Sequence, residues 1–143
     1  MSDLLLKKAA LIARFAAVPA IAAIIGTNVS WIERPRSGAL PAITLTLIWP
    51  GREYTHEGAD ELDMPLVQFD YWGEDADALR ALADLVNAEM ETIPHVDVAV
   101  TGGTVRIHNG FVERDQDEEP ADLDSDVKVY RILQEWRFFW EVL

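Results

Sequence analysis

The chain has 143 residues, half of them hydrophobic, no cysteine and a formal net charge of −13. That is the size of one domain with enough apolar content for its own core, and it excludes disulfides, thiolate metal sites and a thiol nucleophile. Residues 1–52 carry six Lys/Arg against two Asp/Glu, or +4, while residues 53–143 carry six against twenty-three, or −17. So acidic a surface disfavours ordinary nucleic-acid binding, which relies on Lys and Arg to neutralise phosphates.

Ser2 and Asp3 cap a first predicted helix that runs to about Ala17. Leu5, Ala9, Ile12, Ala13 and Ala16 share one face at helical spacing. Pro19 starts a short second helix and Gly26 stops it. The apolar stretch 9–26 faintly resembles a signal or membrane segment. Arg14 interrupts it, Pro19 breaks it, and it is short and Ala-rich, so the expectation is buried helix and no membrane partner.

Residues 29–33 read as a strand and 34–41 as a loop, from Pro and Gly. Residues 42–49 alternate, with Ile43, Leu45, Leu47 and Trp49 opposite Thr44 and Thr46, which predicts a strand. After a polar connection, 62–72 predicts another, with Pro65 at an edge or bulge. Residues 73–93 carry the clearest helical stripe: Leu79, Leu82, Ala83, Val86, Met90 and Ile93, with acids in the first turn and Pro94 after the end. Strands follow at 96–100 and 104–113, and a last one at 127–143 that is apolar on two sides and so expected to be covered on both. The fold class predicted is α+β: a single, mostly antiparallel β-sheet with the N-terminal helix and one long amphipathic helix packed on one face.

Between the last two strands the chain packs Glu113, Asp115, Asp117, Glu118, Glu119, Asp122, Asp124 and Asp126 around one cation, Arg114. An EF-hand loop needs Gly at its sixth position and Glu at its twelfth. Starting at Asp115 puts Pro120 at the sixth place; starting at Asp122 puts Val127 there and Leu133 at the twelfth, so both registers fail. The ordinary fate of such a run is a solvated loop, and a loop insert at about 113–126 of one domain spanning 1–143 is expected. No phosphate-binding glycine loop, zinc-protease motif or nucleophile elbow occurs. His56, His95 and His108 have no partner three or four residues away, so each reads as a surface or structural histidine. Carboxylate pairs are uninformative among twenty-five acids. No catalytic, cofactor or metal residue is assigned.

Three features come in order: a helical N-terminus leading into RPRSGALPAITLTLI; the strand-to-helix unit DMPLVQFDYWGEDADALRALADLVNAEM; and a closing aromatic strand, VYRILQEWRFFWEV. This order resembles the tail-completion or tail-terminator proteins of long-tailed phages and phage-derived particles, over nearly the whole chain apart from the acidic insert. The resemblance implies a structural virion protein of the tail or neck, assembled in the host cytoplasm. It implies a ring, commonly of six copies, that caps the head-proximal end of the tail tube and stops its growth. The implied partners are itself, the tail tube protein and a head-side connector or stopper protein, with DNA passing through the lumen without sequence-specific binding. No cofactor and no enzyme activity are implied.

The charge division agrees, because a ring closes by contacts between unlike surfaces; the plainer reading is two signs on two faces of a monomer. Arg34, Arg36, Arg52, Trp31 and Trp72 are the candidates for subunit contact, since tryptophan is enriched at interface hot spots. Trp49 and at least one of Trp136 and Trp140 read as core. The eight acids are the candidates for a partner-facing or lumen-facing surface. The alternatives are an acidic binding protein that mimics DNA, or a small enzyme with an acid or metal site assembled by the fold. Leu45→Asp or Phe138→Asp should unfold the domain, because an unpaired buried carboxylate costs several kcal/mol, on the order of the whole stability; a wild-type melting temperature for either would show that the core is misplaced.

Overall fold

The computed structural model describes residues 2–33, 39–51, 54–55, 58–59, 63–123 and 127–143, with the backbone alone at 54–55, 58–59, 121–123 and 127. Its elements are α1 (Asp3–Ala17), α2 (Pro19–Ile25), β1 (Val29–Trp31), β2 (Ala42–Trp49), β3 (Tyr54–Thr55), β4 (Gly58–Ala59), β5 (Leu66–Gly73), α3 (Ala76–Thr92), β6 (His95–Val100), β7 (Gly103–Leu123) and β8 (Val127–Val142). Six strands form one sheet in the order β1-β2-β5-β8-β7-β6, and β3 pairs with β4 apart from it.

The α+β class holds, with two refinements. The sheet is mixed, because β1 lies parallel to β2 while every other neighbouring pair is antiparallel. A tight hairpin joins antiparallel strands, so β1 and β2 are not joined by one. The sheet is also not single, since the polar connection after β2 holds the small β3–β4 pair.

α1 packs against β6, β7 and β8, and α3 against β5, β7 and β8. Ser2 caps α1 by accepting from the Leu5 N–H at 3.3 Å. The predicted apolar face of α1 is corrected: Leu5 and Ala9 are exposed, and the buried residues are Leu6, Lys7, Ala10, Leu11, Arg14 and Phe15. Counting hydrophobic residues alone misplaces the stripe, because two cations on the inner face have partners there. No single helix is long and apolar enough to cross a membrane; α1 and α2 pass that test only together, and they meet at 95°. Their residues Leu6, Ala10, Leu11, Phe15, Ile21 and Ile25 lie in the core.

The stripe of α3 is buried as its periodicity predicts at Leu79, Leu82, Ala83, Val86 and Met90. Pro65 sits just before β5, a central strand, and the irregularity lies opposite, between Leu47 and Trp49 of β2. Past that shift Trp49 leaves the core and is 49% exposed, against the expectation for it, while Trp136 and Trp140 are both fully buried.

The largest correction concerns 113–126. β7 continues to Leu123 and pairs with β8 as far as Leu123↔Val127, so the acidic run as far as it is described is strand, not loop. β8 is a long apolar strand whose backbone groups need a partner along its whole length, and β7 is the chain that supplies it. Bulges at Ile107/Gly110, Val112/Arg114 and Glu118/Ala121 bend the arm as it goes. At the first of these a Cβ on Gly110 would stand 2.2 Å from the Arg137 carbonyl oxygen, so only glycine lets the strands approach there.

One buried ion pair ties the N-terminus to the end of the sheet. Lys7 Nζ donates to Asp63 Oδ2 at 2.8 Å, with side chains 3% and 6% exposed. The Asp63 backbone exchanges hydrogen bonds with Trp140, at 3.2 and 3.1 Å. Lys7→Ala should cost about 3–5 kcal/mol by stranding a buried carboxylate. The double variant Lys7→Ala/Asp63→Ala should be distinctly more stable than that single variant in denaturant unfolding; an additive pair would show no coupling.

Candidate functional site

Antiparallel register sorts the acidic strand onto two faces of the sheet. Asp115 lies opposite Gln134 and Asp117 opposite Ile132, facing the helices. Gln116 lies opposite Leu133 and Glu118 opposite Arg131, on the open face. Strand formation by so acidic a sequence requires that charge be met locally, and arginines from three elements meet it.

The first is Arg80 of α3. Asp75 caps that helix, its Oδ1 accepting from the Asp77 and Ala78 N–H groups at 3.0 and 3.1 Å. The buried stripe then sets the rotation that brings Arg80 over β7. Arg80 Nη1 donates to both Asp115 oxygens at 3.0 Å, and Nη2 donates to Asp117 at 2.6 Å. Burial alone lowers the proton affinity of this guanidinium; the hydrogen bonds to Asp117 and Asp115 outweigh that and raise it. On β8, Arg137 Nε donates to Glu113 at 2.6 Å. Arg114 of β7 itself donates to Gln116 at 2.9 Å and stands 3.6 Å from Glu135.

Gln134 connects this surface to the core. Fully buried, it donates to Asp115 Oδ2 at 3.0 Å, while its Oε1 accepts from the Tyr71 hydroxyl at 2.9 Å and from Trp136 Nε1 at 3.0 Å. Burial pushes the Tyr71 hydroxyl well above its ordinary pKa, and the Asp115 charge adds to the rise. Asp115 is thus held by a helix cation and a buried amide at once.

The open face carries two cation–aromatic stacks. Arg131 lies 5.0 Å from the Trp72 ring centre and donates to Asp70 at 2.9 Å, and Arg137 lies 5.5 Å from the Trp49 ring centre. Trp49, Leu66, Arg137 and Phe111 form one cross-strand row, so two half-exposed aromatics flank an arginine.

Among the predicted residues, Asp115 and Asp117 come together under Arg80, Glu113 pairs with Arg137, and Glu118 lies in the strand beside exposed Glu119. Asp124 and Asp126, the Asp122 side chain, and Arg34, Arg36 and Arg52 lie outside the described residues, as does His56. Trp31 is half-buried; its Nε1 donates to the Lys8 carbonyl at 2.9 Å, and the Lys8 ammonium lies 5.0 Å from its ring centre, so it joins β1 to α1. Trp72 donates to Thr44 Oγ1 at 3.0 Å on the open face. The structure does not bring Trp31 and Trp72 together. Sequence reasoning missed Arg80, Gln134 and Tyr71; the one available signal was Gln134, a polar residue at an inward position of an otherwise apolar row. Among the described residues no group of three or more His, Cys, Asp or Glu could hold a metal ion. His95 and His108 are cross-strand neighbours with ring centres 6.0 Å apart.

The fold and this surface define an α+β domain with an acidic β-arm. The tail completion protein gp17 family matches residues 9–135, and the chain belongs to that family, a phage tail component with a structural role. No curated protein matches the sequence. In fold, the chain is similar to one in the virion of a native gene transfer agent particle, with a TM-score of 0.64 at 18% identity, over 94% of this chain and 93% of that one. A second solved chain matches with a TM-score of 0.50 at 15% identity, over 100% of this chain and 97% of its own.

Arg80→Ala should cost under about 1 kcal/mol in global stability, because Arg80 and its partners are partly exposed. Hydrogen exchange of the 115–118 amides should nevertheless accelerate clearly. Unchanged exchange there would show that the β7–β8 ladder alone holds the arm.

Proposed function

We propose that this chain is the terminator of a phage or phage-like tail, a closed ring of six copies at the head-proximal end of the tube. The observation that carries the reading is the family match across 9–135. A related fold in a gene transfer agent virion supports it. The ring ends tube polymerisation, joins the tail to a head-side connector or stopper protein, and lets DNA pass without sequence-specific contact. It is a structural part, not an enzyme, and it assembles in the host cytoplasm.

Physical features support self-assembly. The helices cover one face of the sheet, and the open face offers the Trp49–Arg137–Phe111 row with Phe139 nearby, a hot-spot composition. Ile32, 73% exposed, is held at a φ of 76° just before the basic stretch that contains Arg34 and Arg36. A β-branched residue in the left-handed region is strained and exposed apolar surface is unfavourable, so a neighbouring subunit at this point would turn a cost into a contact. The acidic arm serves as rim or lumen surface. In a lumen its residual negative charge keeps DNA from adhering.

The DNA-mimic reading gains rigidity from an acidic strand in place of a loop. It loses charge, since Glu113, Asp115 and Asp117 already sit in ion pairs with Arg137 and Arg80. Negative-stain microscopy separates the readings. Purified protein, or tails carrying it, should show rings, and particles lacking it should carry overlong tubes. Tubes of normal length in its absence would remove the terminator assignment.

A further inference from the structure

β6 is the last strand of the sheet, and among the described residues no strand pairs with its outer edge. Outward N–H and C=O groups of His95–Val100 therefore stand ready for an added strand. A groove of about 410 Å³ runs along this edge. Four consecutive residues, Val96 through Ala99, line it, so it follows the margin of the strand and not one of its faces. Ala17 and Val18 at the end of α1 form the opposite wall. A small apolar slot beside an open strand edge is the setting in which domains take up an extended segment.

Arg14 stands in the same slot. Its side chain is 1% exposed; Nη2 donates to the Glu89 backbone carbonyl at 3.2 Å and lies 3.7 Å from the Glu89 carboxylate. Nε and Nη1 are buried and have no hydrogen-bond partner among the described residues. Burial lowers the pKa of this guanidinium, and Glu89 opposes the shift without cancelling it. The other acid of the lining, Asp97, is committed to Arg106 at 2.7 and 3.0 Å. Buried charged donors left unmet are costly, so the slot lacks an acceptor.

We infer that the slot receives the acidic stretch of β7 from a second copy of this chain, which extends the sheet at β6 and brings a carboxylate to Arg14. The β7 stretch has the required chemistry. Beyond Asn109, whose N–H donates to the Pro94 carbonyl at 2.9 Å, its outer edge is unpaired among the described residues as far as Leu123. It is already extended, so little ordering is needed on binding. It carries carboxylates, and Glu119 is exposed. Pairing of this edge with the same edge of another copy would set acid against acid, so it selects an unlike surface. The inference rests on the self-assembly proposed above and gives it a contact.

The test titrates a synthetic peptide of residues 109–123 into the isotope-labelled full chain and follows it by NMR. Saturable shifts should appear at the amides of 95–100 and at Arg14 Nε–H. They should vanish in Ala17→Glu, which sets a carboxylate on the slot wall at an exposed position. A peptide with Asn and Gln in place of Asp and Glu should bind about tenfold more weakly, the loss expected for a charge-assisted hydrogen bond. Shifts confined to other residues, no saturation at millimolar peptide, or equal binding by Ala17→Glu would overturn the inference. Tail-bound rings formed normally by Ala17→Glu would overturn it while leaving the ring intact. Peptide binding as expected, in a protein whose loss leaves tube length unchanged, would uphold it and remove the terminator reading.

Discussion

The row that β8 turns toward the helices sets the position of the other elements. Ile132, Gln134, Trp136, Phe138 and Trp140 are all buried, on a strand paired with β5 on one side and β7 on the other. Trp136 stacks on Phe69 at 5.7 Å, and Phe69 meets Phe15 of α1 edge-on at the same distance. Phe138 and Trp140 meet edge-on at 5.2 Å. Each such burial contributes about 1.5–3 kcal/mol, and the contacts run from helix through one strand to the next. The helices cannot slide along the sheet without breaking that aromatic series.

The same strand explains why the acidic run is ordered. A strand as long as β8 leaves its main-chain groups exposed unless another strand follows it, and only the acidic segment is adjacent in the chain. Backbone pairing thus overrides a composition that by itself favours solvation. The offset comes from Arg80, Arg137 and Gln134, which meet Asp115, Asp117 and Glu113 from a helix, a neighbouring strand and the core. The acidic arm is therefore part of the fold's hydrogen-bond framework, and its removal would leave one edge of β8 unpaired from Val127 to Glu135.

Assembly in the proposed ring would draw on two surfaces: the sheet face opposite the helices, with its arginine–aromatic stacks, and the edge that ends in β6. These are chemically unlike the acidic arm, as contacts between unlike surfaces of identical subunits require. The buried Lys7–Asp63 pair serves a different purpose. It fixes α1 to the segment that enters β5, and so holds the wall of the β6 slot in place against the sheet.

Where the pattern was local, the sequence was readable. Capping at Ser2, the Pro19 start, the alternation of 42–49, the stripe of α3 and the order that resembles a tail-completion protein each depend on residues a few positions apart, and the chain carries them whatever it folds into. Other features depended on contacts across the fold. The α1 face was misjudged because Lys7 and Arg14 are tolerated inside only by partners at Asp63 and Glu89, 56 and 75 positions away. Trp49 left the core because of a register shift against β5, and the acidic segment became a strand because of β8. The sequence by itself determined the helices, the strands outside the acidic segment, the charge and the family; tertiary structure alone decided which charges are buried, which aromatics are exposed and that the acidic segment is a strand, because those outcomes are set by pairing between residues far apart in the chain.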